Sequence, residues 1–189
     1  MKLKNCSFLL KENLIVILLP LFLLLTCSNL FAHLMVPQRG ILNFKDGFGY
    51  LALSIPVSSL SGVDDDMDGT LSIKELSDHQ DSIISQINNR IDLTYKTVTL
   101  LKEVAYIELN SLDPEHYLNA DQLIVLTRFT LPVISEMGSV RLALKSLKLA
   151  INLFGVKDNE NSFHLTIIDL SYKTEININS DRISSYLQQ

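Results

Sequence analysis

The sequence predicts a mainly β protein: an antiparallel β-sandwich with one amphipathic helix that follows an acidic loop. Three observations carry this. Residues 1–32 form an apolar leader, and the remaining 157 residues are enough to bury one sizeable core without help from a metal or a crosslink. That remainder breaks into many short β-like runs separated by turn-rich pieces. After the second run the spacing of apolar residues changes once, from a period of two to that of a helix.

The leader fixes the expected compartment. Lys2, Lys4 and Lys11 precede an all-apolar run over residues 14–25, and Thr26, Cys27, Ser28 and Ala32 supply small residues for cleavage. This is the layout of a signal peptide, so residues 33–189 are expected to be a secreted or periplasmic domain. The apolar run is shorter than the roughly 20 residues of a spanning helix, and Pro20 interrupts it. An uncleaved anchor, or a lipid on Cys27, would tether the same domain outside the cell. Cleavage after Ser28 and after Ala32 both remain open.

Charge and cysteine usage narrow the function classes. The chain carries a net −5, and beyond residue 32 the balance is 13 basic to 20 acidic side chains. Such a domain lacks the basic stripe that nucleic acids require. Both cysteines, Cys6 and Cys27, lie in the leader, which leaves no disulfide, thiolate metal site or cysteine nucleophile in the domain.

Residues 34–44 and 48–55 read as two strands of a hairpin around Lys45-Asp46-Gly47, with Leu51, Leu53 and Ile55 alternating against Tyr50, Ala52 and Ser54. Ile73, Leu76, Ile83, Ile84, Ile87 and Ile91 then fall at helical spacing. Ser72-Ile73-Lys74-Glu75 forms a capping box at the start, so one helix is expected over residues 73–89. Seven further strands are expected at 93–101, 104–109, 122–129, 140–147, 149–154, 163–170 and 175–178, with a helix over 140–150 as the alternative for that stretch. No repeat, low-complexity tract or linker divides the domain, in which residues 64–89 form a loop–helix insertion.

The strongest chemical signal is Asp64-Asp65-Asp66-Met67-Asp68-Gly69-Thr70-Leu71-Ser72-Ile73-Lys74-Glu75. Calcium takes six to eight oxygen ligands, and a twelve-residue loop supplies them from fixed positions. Asp64, Asp66 and Asp68 stand at positions one, three and five. Thr70, at seven, is placed to give its backbone carbonyl; Ser72, at nine, to act directly or through water; and Glu75, at twelve, to bind with both oxygens. Gly69, at six, permits the sharp turn. Five acids and one lysine place four net negative charges in twelve residues, which repel without a cation. Calcium is therefore the expected ion, and magnesium, which demands a tighter octahedron, its main competitor.

Over this loop and the following helix, about 25 residues, the chain resembles the EF-hand family. It departs from the family in two ways. Residues 56–63 are too short and too rich in Ser and Gly for an entering helix, and the Asp158–Ser162 stretch puts Phe163 where a second loop needs glycine. A lone loop implies a structural staple rather than a calmodulin-like switch. Across most of the domain, the Ala32-His33 start, opening hairpin, acidic loop and run of strands resemble extracytoplasmic domains of bacterial proteins associated with nickel-permease-like (HupE/UreJ-type) membrane proteins. That resemblance implies a bacterial envelope protein, with an envelope protein or membrane transporter as partner.

Weaker signals complete the reading. His33 at a new N-terminus could chelate nickel or copper, with His79, His116 or His164 in support, which gives the alternative of an accessory for transition-metal handling. Met35, Met67 and Met137 are scattered, unlike a soft-metal cluster. Asp113, Glu115 and His116 could form an acid–base group, but Pro114 and Asn119 mark turn chemistry there. The Gly-x-Ser-x-Gly, Gly-x-x-x-x-Gly-Lys, Gly-x-Gly-x-x-Gly and His-Glu-x-x-His signatures do not occur, so no enzyme is expected.

Overall fold

Alternation in the second apolar run becomes a half-buried strand: Leu51, Leu53 and Ile55 are wholly buried on one side of it. They belong to β2 (Phe48–Pro56), which pairs antiparallel with β1 (Arg39–Lys45) across a two-residue turn. Asp46 and Gly47, at φ 52° and 81°, give that turn the twist that matches the flanking strands. The first strand starts later than residue 34. Gln38 has φ 52°, and the Arg39 N–H donates to the Val36 carbonyl (3.2 Å), so the chain turns just before Arg39.

The computed structural model describes residues 35–110, 119–132, 146–169 and 172–187, all within the unit Leu34–Gln189. The expected leader and expected cleavage sites, His33, His116, the Asp113/Glu115/His116 group and most of the strand expected at 140–147 lie outside them. Among the described residues no helix is long and apolar enough to cross a membrane.

After the hairpin come β3 (Leu71–Ser72), the helices α1 (Ile73–Asp78) and α2 (Gln80–Arg90), β4 (Ile91–Tyr95), β5 (Val98–Thr99) and β6 (Lys102–Leu109). The chain continues through β7 (Asn119–Ala120), β8 (Gln122–Thr130), β9 (Leu147–Ile151), β10 (Ser162–Asp169), β11 (Tyr172–Asn179) and β12 (Ser184–Tyr186). A six-stranded sheet runs β11-β10-β1-β2-β8-β6, and a four-stranded sheet runs β12-β9-β4-β5; β3 and β7 pair apart from both. The fold is mainly β, with largely antiparallel sheets in a sandwich-like arrangement.

Four local expectations are corrected. First, β1 and β10 run parallel, in register from Arg39↔His164 to Phe44↔Asp169, because strands so far apart in sequence have no hairpin to force their direction. Second, the single helix over 73–89 is two, divided at His79 (φ −106°, ψ 11°). Third, the run at 93–101 is a hairpin, β4–β5, turned at Lys96 with φ 54°. Fourth, the run at 149–154 begins earlier and stops at Ile151, and the described part of the 140–150 stretch is strand rather than helix.

Inward rows from both sheets meet in one core. β8 contributes Leu123, Val125 and Phe129, β10 gives Phe163, Leu165 and Ile167, and β4 and β9 give Leu93 and Leu149. Ile83 and Ile87, one turn apart on α2, are buried in the same cluster. Val63 and Leu71, on either side of the aspartates 64–68, are buried too, so apolar anchors flank an exposed charged turn.

Candidate metal centre

The aspartates of the loop lie between a 3-10 turn (Val57–Ser59), which follows β2, and β3, which leads into α1. Gly69 has φ +84°, and nothing lies within 4 Å of where a Cβ would be, so backbone conformation rather than space requires glycine there. Met67 also takes positive φ (58°) and leaves its side chain in solvent.

This backbone path gathers the first three aspartates. One carboxylate oxygen from each of Asp64, Asp66 and Asp68 lies within 4.8 Å of the other two. Local amides orient them. Gly69 N–H donates to Asp64 Oδ2 (2.9 Å), Asp68 N–H to Asp66 Oδ1 (3.2 Å), and Thr70 N–H and Oγ1 to Asp68 Oδ1 (2.7 and 2.6 Å). Asp64 Oδ1 is buried and accepts nothing. A buried carboxylate oxygen without a donor is costly, and a cation bridging the three side chains is the group that would satisfy it.

Electrostatics agrees with that geometry. The hydrogen bond from Asp68 N–H lowers the Asp66 pKa, but partial desolvation, the charges of Asp68 and Glu75 and contact with the Asp64 carboxyl together raise it above the ordinary value. A proton on Asp66 would relieve this negative locus, as a cation would.

Glu75 sits differently from the expected closing ligand. Its Oε2 accepts from Ser72 N–H (2.8 Å) and Ser72 Oγ (2.7 Å), and its Oε1 accepts from Asp65 N–H (2.8 Å). With Glu75 N–H on Ser72 Oγ, this is the capping box that the sequence signals, and it supplies acceptors for donors that a helix start leaves unpaired. Glu75 is nevertheless tied across the loop to the residue after Asp64.

Those bonds hold the Glu75 carboxyl down at about 2, Ser72 N–H contributing most, then Ser72 Oγ and Asp65 N–H. The folded value lies below the unfolded 4.5, so Glu75 adds stability above about pH 4.5 and loses it as pH falls toward 2. In calcium-free buffer the urea midpoint of the protein should therefore fall through this window more steeply than that of Glu75→Gln. Parallel profiles would show that the cap makes no difference.

Several contacts around the loop have no sequence signature. Gln86, on α2, accepts from Ser61 N–H and donates to the Ser61 carbonyl, both at 2.9 Å, and Arg90 donates to the Ser59 carbonyl. His79, at the break between the helices, meets Asp65 Oδ1 at 2.9 Å. Position eight, Leu71, pairs with Ala120 of β7 rather than with a second acidic loop. Side chains of the protein itself thus fasten α2 to the chain entering the loop, and α1 and the helix break to Asp65 within it.

The two histidines among the described residues, His79 and His164, do not converge. His79 faces Asp65, whereas His164, on β10, lies between Asn177 (2.7 Å) and Glu175 (3.2 Å) on β11. Among the described residues, the aspartate trio is the one group of three or more histidine, aspartate or glutamate side chains spaced to hold a metal ion. No protein-family model matches the chain, and no curated protein matches it in sequence.

Proposed function

We propose that this protein is a secreted or periplasmic calcium-binding module in which the single loop 64–75 holds one Ca2+ and thereby fixes α1 and α2 on the sandwich. One observation carries the reading: three carboxylates at positions one, three and five converge, and one of their oxygens is buried without a donor. Thr70, Ser72 and Glu75 are placed by the loop spacing to complete an all-oxygen shell. Glu75 would then exchange its hydrogen bonds for the ion, and the ion would take over the link that Glu75 now makes between loop start and helix.

Charge neutralisation is the physical source of the effect. Four net negative charges in twelve residues oppose folding of the loop, and a divalent cation removes half of that excess. Extracellular calcium modules bind at about 10⁻⁴–10⁻³ M, which suits a compartment open to the surroundings. A module so rigidified would serve as an interaction surface for an envelope protein or membrane transporter.

Thermal melts in calcium, magnesium and chelator test the reading. At a calcium concentration about one hundred times the dissociation constant, binding adds about 2.7 kcal/mol, or a rise of about 5–10 °C for a domain of this size. Magnesium at equal concentration should give a smaller rise. Identical melts in calcium and chelator would refute the proposal.

A further inference from the structure

We infer that the cation state of the loop is coupled, through the β3–β7 bridge, to the docking of residues 35–38 on the six-stranded sheet. The inference rests on the calcium reading above and adds a second place where binding is felt.

The chain on either side of the aspartates is tied to β7 and to the residue that joins β7 to β8. Beyond the loop centre, Leu71 and Ser72 pair with Ala120 and Asn119. Ahead of the loop, Val57 N–H donates to the Asp121 carbonyl (2.9 Å). Asp121 therefore lies in a closed ring made of the chain entering the loop, the loop itself, β3 and β7. A cation drawing Asp64, Asp66 and Asp68 together fixes the distance between the two arms of that ring, and so the position of residues 119–122.

Gln122 carries the constraint onward. It is buried, and its Oε1 accepts from Gln38 Nε2 (3.2 Å) and from Ser54 Oγ (3.2 Å). Its carbonyl accepts from Asn110 N–H (2.9 Å), and Asn110 Nδ2 donates to the Met35 carbonyl (2.6 Å) and to Ser54 Oγ (3.3 Å). Gln38, Ser54, Asn110 and Gln122 are all buried, so loss of one partner strands the others away from water. Networks of this kind hold or open as a unit. The segment that they hold is the first described stretch after the leader, and its far side is pinned by His164 N–H on the Gln38 carbonyl (2.9 Å).

Hydrogen exchange read by mass spectrometry, on the whole protein with calcium or chelator, tests the coupling. Calcium should slow exchange over 64–75, 119–122 and 35–39, where the Arg39 N–H on the Val36 carbonyl reports the docked turn, by about fivefold or more, the lower end of ordinary coupling energies, with less change over β11 and over β10 beyond His164. In Gln122→Met, which removes the shared acceptor, calcium should still slow 64–75 but no longer 35–39. Should that variant fail to fold, Gln38→Met deletes one bond of the cluster from the docked segment. By reciprocity it should also weaken calcium binding by the factor found in exchange. Slowing confined to 64–75 in the unmodified protein would overturn the coupling and leave the calcium reading intact. Equal slowing over β10 would mean global stabilisation alone and would also overturn it. No binding and no change at 64–75 would overturn both.

Discussion

Phe163→Ala should lower the stability of the domain by about 3–5 kcal/mol, the usual cost of truncating a buried phenylalanine to alanine. Phe163 is wholly buried on β10, beside Leu165 and Ile167 in the same inward row, and stands opposite Ile178 of β11. Phe154 packs on it with ring centres 5.4 Å apart and planes tilted by 44°, a contact that adds to burial alone. A hole left here is bounded by β10 and β11 on one side and by the Phe154 ring, on the stretch after β9, on the other, and the paired strands leave little room for collapse to refill it. Against a total of roughly 5–15 kcal/mol, urea denaturation should find much of the stability gone. The neighbouring His164→Ala, on the outward row, should cost far less. A Phe163→Ala cost under about 1 kcal/mol would contradict the sandwich core described here.

Asp66→Asn should change sign with calcium. In chelator the substitution relieves the repulsion that Asp68 and Glu75 impose on an exposed carboxylate, so the variant should be at least as stable as the unmodified protein. In saturating calcium the same variant lacks a ligand and should forgo most of the increment of about 2.7 kcal/mol. Asp64→Ala should also forgo it, because it removes the oxygen that is buried without a donor. The crossing of two urea midpoints distinguishes a binding site from an acidic turn that merely caps a helix. A turn would be stabilised by Asp66→Asn in both buffers.

What the sequence made legible was local. The hairpin could be read because Asp46-Gly47 and the alternation around it lie within a few residues, and the aspartate trio because a twelve-residue loop fixes its own spacing. Pairings between distant segments left no such mark. Nothing near Arg39 signals that β10 lies beside it in parallel, and nothing near Leu71 names Ala120 as its partner. β3, β7 and β12, of two or three residues each, are too short for periodicity to show. Ile73 illustrates the limit of helical spacing: it fits the apolar stripe of one long helix, yet it is exposed, while Leu76 of the same short helix packs against the core. Glu75 satisfied two patterns at once, the last loop position and the capping box, and spacing could not say which bonds it makes.

Titration calorimetry of the protein with calcium, beside Asp64→Ala and Glu75→Gln, tests the central claim most directly. One ion per chain should bind with a dissociation constant no weaker than about 10⁻³ M, and both variants should weaken that binding severely. Absence of binding at millimolar calcium, or binding that both variants leave unchanged, would contradict the assignment of residues 64–75 as a calcium site.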